Sequence, residues 1–168
     1  ITCVPVKDIV DVPEPEETGT TFMENAILKA KYYSEKTGLP CLADDSGLAV
    51  DALDGAPGVY SARYAGVHGD DEANNEKLIR ELQGKSDRTA HYVCALALVH
   101  PDGDSVTAEA SCDGEIQDTP LGTNGFGYDP YFFVPRFGKT MAELDIDTKE
   151  TISHRGKALQ QLVAKVNK

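Results

Sequence analysis

The hydrophobic residues near the start of the chain recur at helical spacing. Between residues 21 and 37 they return every three or four positions, which predicts an amphipathic helix. Thr21 and Glu24 have the spacing of a capping box at its start, and Gly38 is a typical stop signal. The predicted buried stripe consists of Phe22, Met23, Ala26, Ile27, Ala30 and Tyr33.

Two more segments have helical spacing. Residues 70–82 carry acidic side chains in their first turn, which favours a helix start there. Ser153 is a good N-cap for a last helix. The predicted buried side of the first of these helices is Leu78, Ile79 and Leu82. The predicted inner side of the last helix is Leu159, Leu162, Val163 and Val166.

Strand patterns occupy the middle of the chain. Residues 89–99 are apolar or small on both alternating faces, as in a central strand that is covered on both sides. A turn at residues 101–104 and a more polar strand at 105–117 follow, which predicts an antiparallel pair. Residues 131–134 have the composition of a short buried strand, and residues 139–149 suit a short helix or turn region.

Two short apolar runs, residues 40–43 and 48–50, flank Asp44-Asp45-Ser46-Gly47. This tetrapeptide has ordinary turn chemistry, so we expect a turn between two strand segments. Adjacent carboxylates resist burial, and a divalent metal that handles phosphates is a second explanation, since hard cations take oxygen ligands. In extended chain the side chains of Asp44 and Asp45 point to opposite sides, so only one should face a site.

The order of helices and strands, with one antiparallel pair, predicts a single α/β domain with a mixed sheet. A length of 168 residues is enough for a real core. The formal net charge of −12 argues against nucleic-acid polymers and anionic membranes as partners. The sequence has no bilayer-spanning apolar run and no secretion leader, and its four cysteines are dispersed, so we expect a cytoplasmic protein.

Several charged residues suit the phosphates of a nucleotide. Glu17 and Asp45 could share one Mg²⁺, which keeps several waters and bridges to phosphate oxygens. Lys29 and Lys149 are the obvious cationic partners for those oxygens. The alternative interpretation of each residue is a solvated surface position. The chain contains no Walker A loop and no G-x-G-x-x-G motif, so it is neither a P-loop enzyme nor a Rossmann dinucleotide binder.

Two other features suit a purine base. The glycines beside Phe126 leave its ring uncrowded for stacking on a flat base, although a core plug is the alternative. Asp129 precedes a proline and is therefore held extended. His154 and Arg155 open a helix, where cations are unfavourable unless an anion or acceptor ligand compensates them.

Five ordered motifs resemble the inosine triphosphate pyrophosphatase family, whose members hydrolyse non-standard purine nucleoside triphosphates. The match runs from about Glu17 to Ala158. The motifs are T-F-M-E-N-A at 21–26, A-D-D-S-G-L at 43–48, G-A-P-G-V-Y-S-A-R at 55–63, G-F-G-Y-D-P at 125–130 and S-H-R at 153–155.

The resemblance implies Mg²⁺-dependent hydrolysis of ITP, dITP and XTP by a homodimer. It implies an elongated, twisted mixed sheet with helices on both faces and two lobes around a central cleft. It assigns Asp45 as the catalytic aspartate and a metal ligand, Glu17 as the acidic partner at the metal, and Phe126 as the ring under the purine. The implied substrate-binding residues are Lys29, Ser46, Phe126, Gly127, Tyr128, Asp129, Lys149, His154 and Arg155, the last two as donors to the 6-oxo group.

The family also begins with a strand and a helix that carry a Thr/Ser-x-Asn-x-x-Lys segment. These 168 residues contain no counterpart, and we expect the true N-terminus to lie before Ile1. Two alternative functions remain open. One is a Maf-type nucleotide pyrophosphatase with a different base preference, and the other is a nucleotide-binding protein without turnover.

Overall fold

A computed structural model describes residues 4–125 and 127–166 of the chain. The α-helices are α1 (Phe22–Thr37), α2 (Asp71–Leu82), α3 (Ile146–Ile152) and α4 (His154–Val166). The strands are β1 (Cys41–Val50), β2 (Thr89–Val99), β3 (Ser105–Ile116), β4 (Phe132–Val134) and β5 (Lys139–Thr140). Short 3₁₀ helices include Gly58–Arg63, Asp129–Tyr131 and Met141–Glu143. Within the described ranges, no helix combines the length and apolar character needed to cross a membrane.

The strands form one sheet in the order β1-β2-β3-β4-β5. The predicted turn at Asp44–Gly47 is wrong, because β1 runs without interruption through this segment. Asp44 is paired with Leu96 and Asp45 with Ala95 in the ladder to β2. Successive side chains of a strand point to opposite faces, so the two adjacent carboxylates lie on opposite sides of the sheet.

All strand pairings among the described residues are antiparallel, which corrects the expectation of a mixed sheet. The alternation of helices and strands along the sequence is typical of parallel crossovers. Here α2 packs with Leu48, Val50 and Ala90, at the end where β1 leaves the sheet and β2 enters it. The chain therefore re-enters the sheet at the end where it left, and β2 runs antiparallel to β1.

Helices cover both faces of the sheet, as expected. Ala26 and Ala30 of α1 pack on Ala95, Ala97 and Val99. On the other face, α4 packs on the sheet through its buried side chains. These α4 residues are Ala158 and Leu162.

The predicted buried faces of α1 and α4 include residues that are exposed in the structure. Ile27 of α1 is exposed, and so are Leu159 and Val163 of α4. The buried positions of α1 all carry small side chains, which let the helix approach the sheet closely, whereas α4 buries Ala158 and Leu162. In α1 the buried positions also include Asn25 and Ser34, whose polar groups are hydrogen-bonded.

The predicted helix boundaries are confirmed. The Thr21 hydroxyl accepts from the Glu24 backbone N–H at 3.1 Å, and Gly38 ends α1 in the left-handed region. The Glu24 carboxylate accepts from the Thr20 backbone N–H at 2.7 Å, one residue earlier than in a standard capping box. The Ser153 hydroxyl caps α4 by accepting from the Gly156 N–H at 2.9 Å.

Gly47 allows a neighbouring segment to pack directly on β1. A Cβ atom at this position would lie 2.4 Å from Ser61 Oγ and 2.9 Å from the Gly58 carbonyl oxygen. Ser61 Oγ in turn accepts from the Leu48 N–H at 2.9 Å and donates to Gly58 O at 2.6 Å. The glycine therefore fixes the 3₁₀ helix Gly58–Arg63 against the strand that carries the two aspartates.

Candidate active site

Asp45 lies on the α1 face of the sheet, in a group that we call the carboxylate group: Glu17, Asn25, Lys29 and Asp45. Asn25 Nδ2 donates to Asp45 Oδ2 at 3.1 Å, and Asn25 Oδ1 accepts from the Gly19 N–H at 2.8 Å. Lys29 Nζ forms an ion pair with Glu17 Oε1 at 3.0 Å. The fully buried Asn25 therefore links the Asp45 carboxylate to the loop that precedes α1.

The electrostatic environment of Asp45 is unfavourable for its charge. Burial raises the pKa of Asp45, while the hydrogen bond from Asn25 and the positive charge of Lys29 act against that rise. The negative charges of Glu17 and Asp44 add to it. A carboxylate with these neighbours is stabilised by any cation that approaches it.

The carboxylate group has the donor atoms for a hard divalent cation. In the described parts of the chain, no group of three or more His, Cys, Asp and Glu side chains could hold a metal ion by itself. Mg²⁺ is usually held by only one or two protein carboxylates, because it keeps several waters and binds phosphate oxygens. Glu17 and Asp45 therefore fit a Mg²⁺ ion that is shared with a phosphorylated ligand.

Ser46 lies on the opposite face from Asp45 and contacts the start of α4. Arg155 NH2 donates to Ser46 Oγ at 3.1 Å and to Asp44 Oδ2 at 3.3 Å. The Arg155 side chain is 58% exposed, so its guanidinium is also accessible to a ligand. The sequence grouped Ser46 with Asp45, whereas the structure joins Ser46 to Arg155.

A second group, which we call the base group, consists of Tyr92, Asp129, Lys149 and His154. Lys149 Nζ donates to Asp129 Oδ2 at 2.6 Å, and the Tyr92 hydroxyl donates to Asp129 Oδ1 at 2.8 Å. The Tyr92 ring stacks on the His154 ring, with centroids 5.0 Å apart and planes at 16°. This network connects β2 with the starts of the Asp129–Tyr131 helix and of α4.

His154 is neutral at physiological pH. Burial lowers the pKa of His154 to about 4, and the charge of Arg155 acts in the same direction. The Nδ1 atom of His154 is buried and has no hydrogen-bond partner among the described residues. A buried polar atom without a partner is costly, and a ligand that supplies the partner removes that cost.

The glycine-rich loop before Asp129 packs tightly on the base group. A Cβ atom at Gly125 would lie 2.2 Å from Asp129 Oδ2 and 2.6 Å from Lys149 Nζ, so a side chain here would displace the ion pair. Tyr128 is buried, and its hydroxyl donates to Ser61 O at 2.6 Å. Phe126, the predicted stacking ring, lies outside the described residues.

The predicted site residues therefore fall into two groups that flank β1. Glu17, Lys29 and Asp45 are brought together on the α1 face. On the α4 face, Ser46 contacts Arg155, and Asp129 contacts Lys149. The expectation that one bound molecule spans both groups stays a prediction.

The sequence interpretation missed four residues with direct contacts to predicted site residues: Asn25, Asp71, Asn75 and Tyr92. Asn25 had a visible signal, because an asparagine on the apolar side of a predicted helix needs a buried partner. Tyr92 is the single aromatic residue of a strand otherwise made of small and aliphatic side chains and one histidine. Asp71 and Asn75, which hydrogen-bond Gly127, have only helical spacing to connect them.

Solved structures of Ham1 proteins share the fold of this chain. The chain is similar to a HAM1 protein from Coxiella burnetii, with a TM-score of 0.93 and 46% identity over 98% of this chain and 85% of that chain. It is also similar to the Staphylococcus aureus Ham1 protein, with a TM-score of 0.87 and 49% identity over 90% of this chain and 79% of that one. The fold is therefore the α/β fold of these proteins.

Sequence comparison gives the family. The chain is 55% identical over 159 residues to a dITP/XTP pyrophosphatase of an Exiguobacterium species, which covers 95% of this chain and 81% of that protein. The model of the Ham1 family matches residues 1–165. The chain belongs to the Ham1 family, and the resemblance seen in the five motifs is confirmed.

We expect Asp45→Asn to be more stable than the wild type at pH 7 without divalent metal. The folded-state pKa of Asp45 lies above its reference value of 3.8, so ionised Asp45 costs folding free energy above the folded pKa. That cost fades as the pH falls through the folded pKa, and the gain of the variant should shrink from pH 7 to pH 4. Urea unfolding of both proteins at pH 7 and pH 4 measures this difference in unfolding free energy.

The matched control for this comparison is Asp44→Asn. It removes the neighbouring carboxylate on the opposite face together with an ion-pair partner of Arg155, so it should not share the gain. Equal stability of wild type and Asp45→Asn at pH 7 would contradict the description of Asp45.

We expect His154 and His91 to titrate far apart in the folded protein. His154 should titrate near pH 4 because it is buried beside Arg155. The pKa of His91 should lie above 6.5, because its Nδ1 is 2.7 Å from Asp113 Oδ1. Nitrogen-detected NMR of the imidazole rings measures both values in one sample, and a normal pKa at His154 would exclude its burial as a neutral ring.

Proposed function

We propose that this protein hydrolyses the non-standard purine nucleoside triphosphates dITP, XTP and ITP to the nucleoside monophosphate and pyrophosphate. The observation that carries the proposal is its 55% identity to a dITP/XTP pyrophosphatase over 95% of this chain. The two groups of the candidate site support it, because one suits phosphates with a metal and the other suits an uncharged base.

At the phosphate end, the oxygen of a water molecule attacks the α-phosphorus. A new P–O bond forms while the bond to the bridging oxygen breaks, and pyrophosphate leaves. Asp45 accepts the proton of the attacking water, since it is the carboxylate held in place by Asn25. Lys29 offers its ammonium group to the phosphate oxygens and exchanges its contact with Glu17 for them.

Glu17 and Asp45 are the residues that would hold Mg²⁺ in this enzyme. When bound, the ion offsets phosphate charge and orients the attacking water. The raised pKa of Asp45, caused mainly by burial, supports this assignment because the ionised carboxylate would be stabilised by a bound cation.

At the base end, selection follows from the group at position six of the purine. Hypoxanthine and xanthine present an acceptor oxygen there, whereas adenine presents an amine donor. Arg155 offers N–H donors, and neutral His154 offers one ring N–H. A site built on such pairing can discriminate by about 10⁴-fold or more, because the wrong base leaves polar groups unpaired.

We further propose that the protein is a cytoplasmic homodimer that acts on free nucleotides. The family resemblance supports the dimer. The net charge of −12 supports free nucleotides over nucleic-acid polymers or membranes as partners, because both of those carry dense negative charge.

A panel of triphosphates, scored for pyrophosphate release with and without Mg²⁺, tests the function on the full-length protein. We expect Mg²⁺-dependent release from dITP, XTP and ITP and far less from ATP, GTP and pyrimidine triphosphates. Asp45→Asn should fold and release none. Preference for another base would favour the Maf-type alternative, and binding of ITP without release would favour a non-catalytic protein.

We expect Arg155→Ala to lose most of the preference for ITP over ATP. The substitution removes donors to the 6-oxo group, so the ratio of the two kcat/KM values should fall by at least about tenfold. Lys165→Ala is a matched control, since Lys165 is a surface cation of the same helix that contacts Thr107 O. A preserved ratio in Arg155→Ala would remove this residue from base selection.

A further inference from the structure

Helix α2 hydrogen-bonds the backbone of the glycine-rich loop at Gly127. Asp71 Oδ2 accepts from the Gly127 N–H at 2.9 Å, and Asn75 Nδ2 donates to the Gly127 carbonyl oxygen at 2.9 Å. Asp71 and Asn75 are four residues apart, so they lie on the same side of the helix. Both polar groups of one residue in the loop are therefore held by a single rigid element, 52 and 56 positions away in the chain.

Among the described residues, the amide of Asn75 is hydrogen-bonded through its donor group and not through its acceptor. Asn75 is 7% exposed, and its Oδ1 is buried without a partner among the described residues. Its orientation is fixed, because a carbonyl oxygen such as that of Gly127 can only accept, which assigns Nδ2 to that contact. A buried acceptor left unpaired costs free energy, so the favourable hydrogen bond of the Asn75 amide is its donor contact to the loop.

The loop is anchored on its other side by the base group. Lys149 donates to Asn124 O at 3.3 Å and to Asp129 Oδ2 at 2.6 Å. The contacts of α2 with Gly127 lie between these two points in the chain. Asn124, Gly127 and Asp129 are thus held from two directions, in a segment whose glycines allow the backbone many conformations.

We propose that Asp71 and Asn75 are positioning residues for the purine base, acting through Gly127. This inference rests on the proposed function, in which the loop borders the base. Neither residue touches the carboxylate group, so the two act on the affinity for the base and leave the phosphate end unchanged. Asn75 contributes more than Asp71, because its contact is partly buried and that of Asp71 is exposed.

The test compares two ligands that each report one end of the site. Inosine monophosphate reports the base end, and inorganic tripolyphosphate reports the phosphate end. Calorimetry on the full-length protein without Mg²⁺ gives Kd for both. We expect Asn75→Ala to weaken the binding of inosine monophosphate by roughly tenfold, as for one lost hydrogen bond, and to leave tripolyphosphate binding unchanged. In turnover, KM for ITP should rise while kcat stays close to the wild-type value.

The neighbouring asparagine provides a matched control. Asn74 is also buried on α2, and it bonds another loop, with Nδ2 donating to Ala62 O at 3.1 Å and Oδ1 accepting from Ala65 N at 2.8 Å. Asn74→Ala should lower the urea midpoint at least as much as Asn75→Ala and leave Kd for inosine monophosphate unchanged. At the other anchor, Asp71→Asn keeps an acceptor and should rescue the affinity that Asp71→Ala loses.

The outcomes separate this inference from the proposed function. Suppose that the wild type prefers inosine over adenosine nucleotides, and that Asn75→Ala has the same selectivity and the same Kd for inosine monophosphate. That result overturns the inference and leaves the proposed function intact. The inference is also overturned if Asn74→Ala and Asn75→Ala weaken the binding of inosine monophosphate equally. The same holds if Asn75→Ala weakens the binding of both ligands equally, because either result indicates general destabilisation. A wild type that neither releases pyrophosphate nor binds inosine monophosphate overturns the proposed function and the inference with it.

Discussion

The antiparallel pairing of β1 with β2 is the constraint on which both halves of the candidate site depend. The ladder holds Asp44 opposite Leu96 and Asp45 opposite Ala95, so the two adjacent carboxylates must leave the sheet in opposite directions. Asp45 then meets Asn25 of α1, while Asp44 meets Arg155 of α4. A slip of one residue in this register would exchange the two aspartates and disconnect each from its partner.

The two groups differ in how their charges are balanced. The carboxylate group contains two acids and one lysine, and burial raises the pKa of Asp45. In the base group, the carboxylate of Asp129 is matched by Lys149 and by the Tyr92 hydroxyl, and His154 stays neutral. The first arrangement suits a cation that arrives with an anionic ligand, and the second suits recognition of an uncharged ring by hydrogen bonds. The contrast explains how a chain with a net charge of −12 can serve a polyanionic substrate.

Buried polar side chains help to hold the elements around the site. Asn25, Asn74 and Asn75 are buried, and each bonds the backbone of a loop. Such bonds are directional, whereas apolar contacts tolerate sliding, so they define where a loop lies and not only that it is packed. Gly47 and Gly125 complete this arrangement, because a Cβ atom at either position would collide with its neighbours.

Three helices, the central strand and the family could be predicted from the residues alone, and so could most members of the candidate site. Periodicity and caps are local, which is why Thr21, Gly38 and Ser153 could be assigned to helix ends without coordinates. That Asp44–Gly47 is a strand and not a turn became visible only in the folded chain, because its extended conformation depends on pairing with β2 about fifty residues later. Only the tertiary structure joined Ser46 to Arg155 and Asn75 to Gly127. Those contacts are made between elements distant in sequence, and no local preference of either residue encodes its partner.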